Sequence, residues 1–332
     1  MKKYQSFSIG RRNLDKENNW EELDIKKYKI TKPTVICLSG TGSVCAKDAN
    51  RMCKLAENLI GAKDKTCDNE FATKKDVEFV GISYGKINKF DSNGFLSKDE
   101  RDLIIKNIFE PLYCDKNGDL LSKNDMAKNF NKITFFAYCY GAHEVSEFVY
   151  SVYGDILKRG LDEVTANEVM DQMFAVAYAP TEVCACPSLQ VFSAKDQNNH
   201  YAVEKGNIFA NKGIQNLYDN KFGQGTRVYK ESDYTASIIT SALTRNWSGE
   251  HSILLVDRDE DWKYVEEYSA FGDEVSQVMG NALAMSVANS IQNTNSEIFI
   301  PKPTIDDVIE QANSILGETK ESESTDCFDQ IK

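Results

Sequence analysis

The chain has 332 residues, enough for one large α/β domain or two modest ones and too many for a small disulfide-stapled scaffold. Its 51 acidic against 39 basic residues leave a net charge of −12, which repels phosphate backbones and anionic lipid headgroups and argues against nucleic acid as a partner. No run of about 18 apolar residues is present, so stable membrane insertion is not expected, and the basic start lacks the apolar stretch of a secretory signal.

Residues 1–31 are polar and charged and read as an N-terminal arm, irregular apart from one short helix. The apolar run from Pro33 to Ser39 predicts a buried strand, ended by the tight loop Gly40-Thr41-Gly42-Ser43. Ala49, Met52, Cys53, Ala56, Leu59 and Ile60 recur at helical spacing over 47–61, and Gly61 closes that helix. A second strand is expected over 77–84 and a second helix over 99–112. A third strand spans Ile133 to Tyr138, with a helix following at 141–153. Residues 162–171 read as helical, Met173 to Tyr178 and Leu189 to Ser193 as strands, and Val228–Tyr229 and Ile253 to Val256 as shorter ones. Helix is expected over most of 262–292 and again over 301–316, where Thr304 is the cap. Strands alternating with helices predict an α/β fold with a mainly parallel sheet covered by helices on both faces, occupying residues 32–300. The tail, 317–332, is acidic with little to bury and is expected to be disordered.

Nine cysteines at irregular spacing, several inside apolar runs, read as reduced buried thiols in a cytosol-like compartment. Cys184-Ala-Cys186 has no matching His/Cys pair downstream, so no metal is expected there, and the chain offers no motif for a cofactor. Asp91 to Glu100 and Asp115 to Asp119 partly match a calcium loop. Lys89 and Tyr113 occupy the places of the first aspartate, and Asn-Gly turns plus a Ser97-x-x-Glu100 capping box account for both stretches. The glycine-rich loop at 39–43 lacks the spacing and Lys-Ser/Thr ending of a P-loop.

The stretch that carries chemistry is Ala137-Tyr138-Cys139-Tyr140-Gly141-Ala142. An apolar strand runs straight into it and a helix striped with Val145, Phe148, Val149 and Val152 follows. A nucleophile held on a sharp strand-to-helix turn needs small residues two before and two after it, which Ala137 and Gly141 provide. The turn also sets Cys139 at a helix N-terminus, whose partial positive charge favours a thiolate. This pattern resembles the α/β-hydrolase superfamily, whose nucleophile elbow reads Gly-x-Ser-x-Gly. Ala137 replaces the first glycine and Cys139 the serine, a cysteine variant similar to the dienelactone hydrolase branch. The Gly-Thr-Gly loop is also similar to a phospholipase-like branch of the superfamily.

The resemblance covers about 33–260 and implies a triad in the chain order nucleophile, acid, histidine. Of the three histidines, His143 sits on the helix behind the turn and reads as packing or polar surface, while His200 lies in a polar loop. His251 lies late, in a glycine-containing loop before an apolar run, and is the expected base. Asp196, just past the strand at 189–193, is the expected acid, with Asp233 and Asp257 as substitutes. The amides of Tyr140 and of Thr41, or next Gly42, are the expected oxyanion donors. The implied reaction is hydrolysis of an ester or thioester of a small-molecule or lipid acyl substrate, with 197–250 as a cap insertion that sets substrate choice. The alternative is an inactive hydrolase scaffold that binds a host protein. The glutamate cluster of the tail resembles the C-terminal secretion signals of type IV effector proteins, which would carry the chain into a host cytosol.

Overall fold

A computed structural model describes residues 7–13, 19–40, 46–61, 76–84, 96–178, 180, 184–191, 273–296, 298–304, 307–308 and 310–311. Seven strands form one mostly parallel sheet in the order β2-β1-β4-β3-β5-β6-β7. The five parallel strands are β3 (Thr34–Leu38), β4 (Glu78–Ser83), β5 (Ile133–Tyr138), β6 (Phe174–Tyr178) and β7 (Ser188–Val191). Their side chains alternate between two apolar clusters, as the two-residue period of a strand requires. Ile36, Leu38, Phe135 and Ala137 join Val145, Phe148, Val149 and Val152 in one cluster. Val35, Cys37, Phe136 and Tyr138 join Met52, Cys53, Ala56, Met279 and Leu283 in the other. The fold is therefore broadly α/β, and among the described residues no helix is long and apolar enough to cross a membrane.

The N-terminal segment departs from the expected irregular arm. β1 (Ser8–Asn13) and β2 (Asn19–Glu22) form an antiparallel hairpin, and β1 pairs antiparallel with β4. Ion pairs cross the hairpin and tie it to its neighbours. Arg11 pairs with Glu21 at 2.8 Å and with the buried Glu78 at 3.1 Å, and Arg12 pairs with Glu57 on α1 (Ala46–Gly61). A hairpin held this way lacks the apolar alternation that marks a strand in sequence.

Among the described residues, five α-helices and one π turn lie between β4 and β6. The helix expected over 99–112 is split into α2 (Lys98–Ile104), a five-residue π turn and α3 (Glu110–Tyr113). Pro111 has no N–H to give to the carbonyl of Asn107, which Lys29 Nζ reaches instead at 3.1 Å. Ser97 and Glu100 form the expected capping box at the start of α2. Beyond Tyr113, Asp115 Oδ1 accepts from the amides of Asn117 and Asp119, so this stretch is an Asx turn. α4 (Lys123–Asn131) was not among the expected helices; it is short, and Ser122 caps it by accepting from the Asp125 amide. α5 (Gly141–Lys158) and α6 (Glu163–Met170) match the expected helices, with α5 five residues longer than its pattern.

α7 (Asp273–Asn295) anchors the segment that follows it. Asn289 and Asn293 donate to the carbonyls of Ile300 and Pro301, and Lys302 runs inward. Its Nζ lies 2.7 Å from the Ser286 carbonyl, Ser286 Oγ and Ser290 Oγ, and 3.4 Å from Thr134 Oγ1 of β5. None of these partners is a carboxylate, and burial pushes the ammonium pKa well below the usual lysine value. In the window between those two values the folded state binds fewer protons than the unfolded chain. Stability should therefore rise with pH there, by at most about 1.4 kcal/mol per pH unit. Thermal melts of wild type and Lys302→Met from about pH 7 to about pH 10 should show wild type gaining on the variant as pH rises. A difference that stays constant with pH would show that the amine keeps its usual pKa. Thr304 and Asp307 exchange caps, as expected for the last helix, of which residues 307–308 and 310–311 are described.

Candidate active site

β5 is buried along its whole length, and Cys139 follows its last residue, Tyr138. Cys139 has φ 51°, the one non-glycine residue with positive φ among those described. A side chain in that region costs about 1–3 kcal/mol and persists only where the surroundings enforce it. Here its amide donates to the Tyr178 carbonyl at the end of β6 (3.0 Å), while its own carbonyl receives the Ala142 amide (3.2 Å). One residue thus belongs to the strand edge on one side and to the first turn of α5 on the other.

Two glycines make room for this corner. A Cβ on Gly141 would lie 2.3 Å from the Leu38 carbonyl oxygen, so α5 starts in direct contact with the backbone of β3. A Cβ on Gly40 would lie 3.0 Å from Cβ of Cys139 and 3.1 Å from the Tyr138 ring. The expected oxyanion loop therefore begins against the elbow. β3 is followed in the chain by β4 on one side and flanked by β5 on the other, so the chain direction across the sheet reverses between β3 and β5. Crevices outside the carboxyl ends of parallel strands at such a reversal are where open α/β sheets bind ligands. Cys139 and Gly40 occupy that point.

Buried polar groups back the elbow. Glu144, in the first turn of α5, is fully buried; it accepts from Arg101 Nε at 2.8 Å and from the Leu96 amide at 3.3 Å. Burial raises the Glu144 pKa, and Arg101 opposes the rise. Arg101 also reaches Glu147 at 3.0 Å. His143 packs its ring on Tyr140, with centroids 4.5 Å apart, and its Nε2 lies 3.9 Å from Glu147. Tyr84, just past β4, is fully buried and donates to the Ser39 carbonyl at 2.6 Å. None of Tyr84, Arg101 and Glu144 stands out in the sequence. The single available signal is a glutamate beside the apolar stripe of α5, one residue before Val145.

Neither a protein-family model nor a curated protein sequence matches this chain. The elbow's own geometry is what bears on function.

Of the expected site residues, the structure brings Cys139 and Tyr140 to the elbow, with Tyr140 immediately preceding the first residue of α5. Thr41, Gly42, Asp196 and His251 lie outside the described residues, as do His200, Asp233, Asp257, the strands expected at 228–229 and 253–256, the insertion at 197–250 and the tail at 317–332. β7 runs parallel to β6 and β5, so its carboxyl end lies at the same end of the sheet as Cys139. The six described cysteines form no disulfide. Cys139, at 8% exposure, is the most accessible of them; Cys114 stands at 5% and Cys37, Cys53, Cys184 and Cys186 at 0%. Among the described residues no three His, Cys, Asp or Glu side chains gather to hold a metal, Cys184 and Cys186 included.

Proposed function

We propose that the chain is a hydrolase of the α/β-hydrolase type, with its sheet covered by helices on both faces, that cleaves an ester or thioester through Cys139. The observation that carries this reading is the left-handed backbone at Cys139, held at the sheet's reversal point with Gly40 against it. Strain of this kind is found at functional corners, where it aims a side chain out of the sheet.

The Cys139 sulfur attacks the acyl carbonyl while His251 takes the thiol proton and Asp196 orients the imidazole. The amides of Tyr140 and Thr41, or Gly42, hold the oxyanion of the tetrahedral intermediate. The intermediate collapses, His251 returns the proton to the departing alcohol or thiol, and an acyl-thioester remains on Cys139. Water, deprotonated by His251, then attacks that thioester and releases the carboxylic acid, and the proton on His251 restores the thiol. The substrate class is a small-molecule or lipid acyl compound.

Differential alkylation tests the reading. Cys37 and Cys114 are poor competitors for an electrophile, since burial pushes the first thiol well up and the second to about 11. Iodoacetamide at neutral pH should modify Cys139 at least about tenfold faster than any other cysteine, with hydrolysis of p-nitrophenyl butyrate lost in proportion. Cys139 reacting no faster than the rest would remove the catalytic reading and leave a scaffold that acts by binding.

A further inference from the structure

An oxyanion hole works only when its donors are held in place before the charge develops, so something must fix the loop that leaves β3. Tyr84 is placed to do it. Its phenol is fully buried and donates to the Ser39 carbonyl at 2.6 Å. Burial, and then the Glu144 carboxylate, push its pKa well above the usual tyrosine value, so the phenol keeps its proton and remains a donor. The peptide between Ser39 and Gly40 is trans and planar. Pinning the Ser39 carbonyl therefore also pins the Gly40 N–H, on the opposite edge of the same plane. Gly40 is the residue that abuts Cys139, where an added Cβ would come within 3.0 Å.

We propose that Tyr84 is a positioning residue of the oxyanion hole, locking the Ser39–Gly40 peptide against Cys139. The inference rests on the acyl-transfer reading and extends it to a residue that touches no substrate. Its test uses two reactions of the same thiol. Acylation by p-nitrophenyl butyrate builds negative charge on the carbonyl oxygen. Alkylation by iodoacetamide forms an S–C bond as iodide leaves and builds no oxyanion. Loss of the Tyr84 bond should hurt the first and spare the second.

In the full chain, Tyr84→Phe is expected to lower kcat on p-nitrophenyl butyrate about 10- to 100-fold with KM within about twofold of wild type. The alkylation rate of Cys139 should stay within about twofold. An aryl trifluoromethyl ketone, which adds to the thiol as an oxyanion-bearing hemithioketal, should weaken by the same factor as kcat/KM. 4-Aminophenylalanine at position 84 restores a donor and should recover most of the rate. A Tyr84→Phe rate within twofold of an active wild type would overturn the role of Tyr84 and leave the hydrolase reading standing. So would alkylation falling in step with kcat, or a variant that no longer melts cooperatively, since the bond would then serve the fold alone. A wild type that turns over no acyl ester would sink both.

Discussion

Cys139→Ala should lower ester and thioester hydrolysis at least about 10³-fold, to the level that substrate binding and the oxyanion donors supply on their own. The substitution removes the attacking atom and little volume, so the fold should survive it. Cys139→Ser keeps a nucleophile, but its hydroxyl gives up a proton far less readily than a thiol, and its rate should fall between those of wild type and Cys139→Ala. His251→Ala should lose nearly as much as Cys139→Ala, and the double variant no more than the worse single one, because a nucleophile and its base act as a unit. Steady-state rates on p-nitrophenyl esters and aryl thioesters decide the matter. Equal turnover by wild type, Cys139→Ala and Cys139→Ser would remove the nucleophile. Full activity in His251→Ala would move the base elsewhere.

Gly141→Ala should destabilise the protein by about 3 kcal/mol or more, a large part of the 5–15 kcal/mol that holds a typical domain together. The added methyl would lie 2.3 Å from the Leu38 carbonyl oxygen and 2.8 Å from its carbonyl carbon. Those are backbone atoms of a buried strand paired with β4 and β5 on its two sides, so they cannot swing aside as a side-chain tip could. Either β3 moves or α5 lifts, and each separates Gly40 from Cys139. Activity should therefore fall together with stability. Gly154 on the same helix is a control, since an added Cβ there meets nothing within 4 Å. Gly154→Ala should raise stability by about 0.5–1 kcal/mol through helix propensity alone. Urea midpoints of the two variants should shift in opposite directions. A Gly141→Ala midpoint equal to that of wild type would mean that α5 does not start against β3.

The contrast between these two glycines shows what the sequence carries. β3, β5 and β6 are legible as short unbroken apolar runs, buried at every position, and α1 and α5 because their apolar residues recur every three to four positions. The elbow is legible because a tight turn demands small residues at 137 and 141. The β1–β2 hairpin is not, since Arg11, Arg12, Glu21, Glu57 and Glu78 hold it through charge pairs that leave no period. α4 hides behind a short pattern whose best clue was the cap at Ser122. The groups behind the elbow are the least legible. Tyr84 and Ser39 are 45 positions apart and Arg101 and Glu144 are 43 apart, and only the strand order brings them together. Asp196 and His251 rest on chain order alone.

The central claim is that Cys139 carries the acyl group during turnover. Rapid mixing of the wild-type protein with p-nitrophenyl butyrate, an acid quench before the steady state, and peptide mass spectrometry measure it directly. A butyryl group on the peptide containing Cys139, released by hydroxylamine and absent from Cys139→Ala, is the predicted result. Ester turnover with no acyl group on the protein, or with the group on another residue, would contradict it.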